Sequence, residues 1–116
     1  MSYHSFARHQ QVERIIVRAT IKAAIAKGFE LVAASNGEDF VKTTSIRRAM
    51  VVAFECDEAH VYFRKPGSEG THWTSWIYVV LGNEGWTVIS DYTVDLEDAV
   101  KATEPLVEKY EAEYFR

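Results

Sequence analysis

The chain has 116 residues, is 47% hydrophobic and 13% aromatic, and carries a formal net charge of −4. That length and composition suit one globular domain, and a mild acid excess argues against a general nucleic-acid binder, which needs a basic face. The single cysteine, Cys56, excludes an internal disulfide and a zinc site built from several thiolates.

The N-terminal stretch MSYHSFARHQ has no apolar signal core, and no apolar run approaches a membrane span. A soluble, cytoplasmic protein is expected. Residues 6–27 read as a helix with a stripe of Val12, Ile16, Ala19, Ala23 and Ala26, widened by Phe6, Ile15 and Ile25. Ser5 suits its N-cap, and Gly28 suits the position just past its end, where positive φ is cheap for glycine.

"FELVAASNGEDFVKTT" follows as a hairpin. Asn36-Gly37 suits a type I′ turn, in which both central residues need positive φ. Pairing Ser35 with Glu38 then places Phe29, Leu31, Ala33 and Phe40 on one face, toward the core. Ser45 can cap a short helix over 46–55, with Ile46, Met50 and Phe54 at a spacing of four, although Val51-Val52 favour strand. His60 to Lys65 alternates as a strand, with Val61 and Phe63 on one face and His60, Tyr62 and Arg64 on the other.

"PGSEGTH" is a turn or loop. The next strand, 76–81, is apolar on both faces, which predicts a central position. "GNEG" turns the chain back into "WTVISDY", completing a second hairpin. Asp95 then suits an N-cap, with Asp98 in the first helical turn. Pro105 predicts a break near 103–104. The expected fold is α+β: a single antiparallel sheet of about five strands with helices mainly on one face, in the order α-β-β-α-β-β-β-α, and one domain over 1–116. The second sheet face, carrying Tyr62, one side of strand 76–81 and one side of strand 86–92, is left half exposed, and an exposed apolar face is where a partner or second copy binds.

Residues 82–99, "GNEGWTVISDYTVDLEDA", resemble a glycine-tryptophan-"VISDYT"-acidic-helix signature of small proteins from proteobacteria, their prophages and plasmids. "AIAKGFELVAASNGEDFVKTTS" is similar more loosely, and "RKPGSEGTHWTS" departs from the pattern. Those proteins have no established activity, so the resemblance implies a setting, an accessory protein of a mobile element, and no catalytic residue.

The chemistry-bearing patterns are few. There is no GxxxxGK[ST] and no GxGxxG, and Gly82-Asn83-Glu84-Gly85 joins strands without opening a helix toward a phosphate. Cys56, Asp57, His60 and His72 have no spacing that converges them on a metal. Ser90 and Asp91 are strand neighbours and point to opposite faces, so "SDY" reads as the end of a strand and not as a nucleophile with its base. No catalytic residue, cofactor or metal is expected.

Aromatic and acidic surface remains. Trp73, Trp76 and Tyr92 are residue types that dominate interface hot spots. Glu84, Glu97 and Asp98, with Glu38, Asp39 and Asp95, could oppose a basic partner. The expected function is a non-enzymatic, protein-binding accessory protein, in its most concrete form an anti-CRISPR-like inhibitor that masks a host defence complex. The alternative is a homodimeric small-ligand-binding module or small enzyme with its site near Tyr62, Tyr78 and Tyr92; a structural protein of the element is the third reading.

Overall fold

The computed structural model describes residues 6–65, 75–83 and 85–114. Helix α1, Phe6–Ala26, is followed by strands β1, Glu30–Ser35, and β2, Phe40–Lys42, and by helix α2, Ile46–Ala53. Strands β3, Glu58–Arg64, β4, Ser75–Val80, and β5, Ile89–Tyr92, complete one antiparallel sheet in the order β2-β1-β3-β4-β5. A 3-10 turn, Val94–Leu96, leads into α3, Glu97–Lys101, and α4, Glu104–Tyr114. This is the expected α+β fold.

Helix α1 lies at the centre of the helical layer, touching α2, α3, α4 and β1. It buries Val12, Ile16, Val17, Ile21 and Ala24. The buried stripe is therefore rotated from the predicted one: Ala19 and Ala23 are half-buried and Ala26 is exposed. Val17 and Ile21 remove more apolar area from water than the alanines they displace, and that decides which side faces inward. The helix closes in a Schellman motif, with Gly28 at φ 98°, its N–H on Ile25 C=O and the Phe29 N–H on Ala24 C=O.

The first hairpin turns one residue later than predicted, which shifts its pairing by two. Ser35 pairs with Phe40, and Asn36 donates its N–H to Asp39 C=O, so Gly37-Glu38 are the central pair. Only Gly37 has positive φ. Asn36 is occupied elsewhere: its buried amide donates to Val52 C=O and to Glu55 Oε1, while its Oδ1 accepts the N–H groups of Glu38 and Asp39. The slip moves Phe40 from opposite Ala33 to opposite Ser35, two positions along β1 and on the same face, so it does not itself change the side. A bulge at Val32 makes the change of face: Leu31 is opposite the core residue Phe63, but Ala33 is opposite Tyr62 and Ser35 opposite His60, so Phe40, paired with Ser35, leaves the core side.

Helix α2 starts where expected, with Ser45 Oγ accepting the Arg48 N–H at 3.2 Å. Burial settles the ambiguity at Val51-Val52: Val52 is 1% exposed and Val51 is 47% exposed, a helical alternation of inside and outside. The C-terminal break also falls as expected, with Pro105 in the first turn of α4, where its missing N–H costs nothing. Asp95 does not cap. Thr93 occupies the N-cap position, and Asp95 accepts a hydrogen bond from the buried Ser75 hydroxyl, fastening the 3-10 turn to the start of β4.

Ser5 falls outside the described residues, as do Glu84, Tyr114's side chain, Phe115 and the segment from Pro66 to Thr74 that holds His72 and Trp73.

Candidate functional site

The helices pack against one side of the sheet, over Ala34, Ala59, Val61, Phe63, Ile77 and Val79. The strand alternation sends Glu58, His60, Tyr62 and Arg64 of β3, and Trp76, Tyr78 and Val80 of β4, to the other side. No helix among the described residues covers them. Cross-strand pairing arranges this open face in two rows. One row holds Phe40, Ser35, His60, Tyr78 and Asp91; the next holds Lys42, Ala33, Tyr62 and Trp76.

His60 is the centre of the cluster. Its ring stacks on Tyr78 at 4.7 Å and on Tyr62 at 5.9 Å, and meets Trp76 edge-on at 5.5 Å. Phe40 leans on Tyr62 at 5.7 Å and remains 47% exposed. These offset and edge-on contacts hold the rings as a preformed surface. Opposite charges bound it: Arg64 pairs with Glu30, and Glu58 accepts the Tyr78 hydroxyl. The backbone of Trp76 is fixed at the corner, where its N–H donates to Thr93 Oγ1 and its C=O accepts the Thr93 N–H, each at 3.1 Å.

The hydrogen bond to Glu58, then burial, then the Glu58 charge raise Tyr78 above the ordinary tyrosine value of 10.0. The folded state thus holds this proton more tightly than the unfolded chain does. Its contribution to stability is complete below the unfolded value and is lost as pH rises through the higher folded one. Ultraviolet titration against Tyr78→Phe should show one tyrosine ionising above the ordinary value, and Glu58→Gln should bring it back down. A Tyr78 midpoint at 10.0 or below would contradict the contact.

The predicted partner-binding residues do not form one surface. Trp76 is on the open face, as expected. Tyr92 is on the other: it pairs with Ile77 and packs against the core, because a bulge at Ser90 inserts one residue into β5. The proposed trio of Tyr62, Tyr78 and Tyr92 is thereby split, with Tyr62 and Tyr78 kept together. Glu97 and Asp98 lie at the start of α3, in the helical layer, and Glu97 pairs with Lys101 at 2.9 Å. Trp73 and Glu84 lie outside the described residues.

Sequence reasoning passed over two members of the site. His60 was legible, since β3 alternation already places it beside Tyr62. Phe40 was hidden by the bulge at Val32, which separates Leu31 from Ala33 and Ser35.

The "GNEGWTVISDYT" stretch is accounted for by packing. Gly82 and Gly85 have positive φ, which permits the turn. The Gly82 N–H donates to the buried Glu13 carboxylate at 2.8 Å, tying the turn to α1. Trp86 is 1% exposed and lies 4.4 Å from the His9 ring. Ser90 is the bulge, and Asp91 Oδ1 accepts the Tyr92 N–H at 2.8 Å. Among its described residues, nothing assembles a nucleophile with a base.

Among the described residues, no three His, Cys, Asp or Glu side chains could hold a metal ion together, and no helix is long and apolar enough to cross a membrane. Cys56 is half-buried in the turn after α2, where burial, and then the carboxylates of Glu38, Glu55, Asp57 and Asp39, raise its thiol above the ordinary value. That opposes thiolate chemistry. The chain matches no protein family, no curated protein and no solved structure.

Proposed function

We propose that this protein is a non-enzymatic binding protein whose working surface is the open aromatic face of the sheet. The observation that carries the reading is the cluster of Phe40, His60, Tyr62, Trp76 and Tyr78 with no described helix over it. Tyr and Trp are the residues that concentrate binding energy at protein interfaces. Rings already packed against one another lose little freedom on docking.

The resemblance of residues 82–99 supports an accessory role in a phage or plasmid, and masking of a host defence complex is its most concrete form. The position of the charges refines that idea. Lys42 and Arg64 share the face with Glu30, Glu58 and Asp91, whereas Glu97 and Asp98 are in the helical layer. Recognition is therefore by aromatic shape and not by acidic mimicry of a nucleic acid.

The test is capture from a lysate of the bacterial host with tagged protein and a Trp76→Ala/Tyr78→Ala variant. One stoichiometric partner is expected with the parent protein. Two hot-spot truncations of about 2 kcal/mol each would weaken it about a thousandfold. Glu97→Lys/Asp98→Lys should capture it as the parent does. Equal capture by the aromatic variant would refute the assignment of the face, and loss only with the charge reversal would restore acidic mimicry.

A further inference from the structure

A second surface lies on the helical side, distinct from the aromatic face. The break at Ala102-Thr103 redirects the chain, and α4 leaves a cavity of about 240 Å³ between itself, α3 and the 86–89 segment. Ile16, Trp86, Ile89, Val100 and Val107 supply its apolar lining. Glu104, Glu108 and Glu111 of α4 also line it.

Those glutamates follow one another at steps of four and three, so they share one side of the helix. Like charges at that spacing oppose each other and destabilise a helix. None of the three forms an ion pair among the described residues; Lys101, the neighbouring base, is paired with Glu97 and attracts Glu104 only as a lesser contact. The span from Glu104 to Glu111 is about 10 Å at 1.5 Å per residue. The cavity is smaller than the roughly 300–1,000 Å³ usual for small-molecule pockets, and suits the insertion of an apolar side chain.

We infer that this groove docks a basic amphipathic helix of a partner protein: its apolar residue enters the cavity over Val100 and Val107, and its Lys or Arg side chains, repeating at helical spacing, meet Glu104, Glu108 and Glu111. The complementarity is double, apolar floor to apolar anchor and carboxylates to cations. It also removes the repulsion along α4.

The probe is a synthetic Leu/Lys amphipathic helix, titrated into methyl-labelled protein and followed by NMR. The methyl groups of Ile89, Val100 and Val107 should shift, those of Val32 and Val80 should stay still, and affinity should fall with added salt. Glu104→Gln/Glu108→Gln/Glu111→Gln should bind about tenfold more weakly, as expected for losing three exposed charge pairs. Relief of repulsion along α4 and loss of the Glu104 charge from its first turn offset each other, so the thermal midpoint should stay close to the parent's. A Lys/Ser peptide without leucine should leave the methyl groups unmoved. Shifts confined to Val32 and Val80, equal binding by the glutamine variant, or no shift at millimolar probe would overturn the inference; the last two leave the aromatic face untouched, and shifts at Val80, which lies on that face, would place the probe there instead.

Discussion

Trp86→Ala should unfold at a much lower urea concentration than the parent chain, with a loss of about 4 kcal/mol, in the range for emptying a large aromatic site in a packed core. Trp86 is among the largest fully buried side chains and is 1% exposed. It has the His9 ring on one side at 4.4 Å and the Tyr110 ring edge-on at 6.4 Å. It therefore joins the turn before β5 to both α1 and α4, and its removal leaves a void that neither helix can fill alone. Trp86→Phe keeps part of the packing and should lose about half as much. An alanine variant within about 1 kcal/mol of the parent would mean that this turn is not part of the cooperative core.

Asn36→Ala should also be strongly destabilising, at about 3 kcal/mol. The residue is 6% exposed and its amide takes part in four hydrogen bonds, two as donor and two as acceptor. Truncation leaves the Val52 carbonyl and the turn N–H groups without that partner, and unmade bonds in buried positions are what make such losses large. Asn36→Asp retains the acceptor for Glu38 and Asp39 but loses the donor to Val52 and sets a carboxylate beside Glu55. It should be comparably destabilised at neutral pH and recover part of the loss in acid, as the carboxylates protonate. Chemical denaturation at two pH values checks both statements. Equal stability of Asn36→Ala and the parent would show that the turn is held by its backbone alone.

These two residues also show which parts of the fold local pattern could reveal. The β3 alternation, the Ser45 cap and the Pro105 break depend on neighbouring residues, and all were readable. So was the half-exposed sheet face, because His60, Tyr62, Trp76 and Tyr78 follow directly from period two. What local pattern could not reveal was set by contacts distant in sequence. Asn36 is read locally as a turn residue, but its side chain bonds Val52 and Glu55, from α2 and the turn after it, and the turn sits one residue later. Phe40 is on the open face because of the bulge at Val32, which pairing with β3 reveals and local pattern does not. Tyr92 changes face because of one extra residue at Ser90, and α1 rotates because the sheet prefers Val17 and Ile21. The apolar character of both faces of β4 suggested a strand covered on both sides. The strand is interior to the sheet, between β3 and β5, but one of its faces is open and aromatic. The glycine-tryptophan signature read as a turn and the end of a strand; its long-range role was not legible, and it holds α1 to the turn between β4 and β5 through Glu13, Gly82 and Trp86.

The central claim is that the partner sits on the aromatic face. The most direct measurement is hydroxyl-radical footprinting of the captured complex beside the free protein, read residue by residue by mass spectrometry. The account predicts strong protection of Phe40, Tyr62, Trp76 and Tyr78, with oxidation of Tyr92 unchanged. Unchanged oxidation of those four residues in the complex, with protection confined to the helical side, would contradict it.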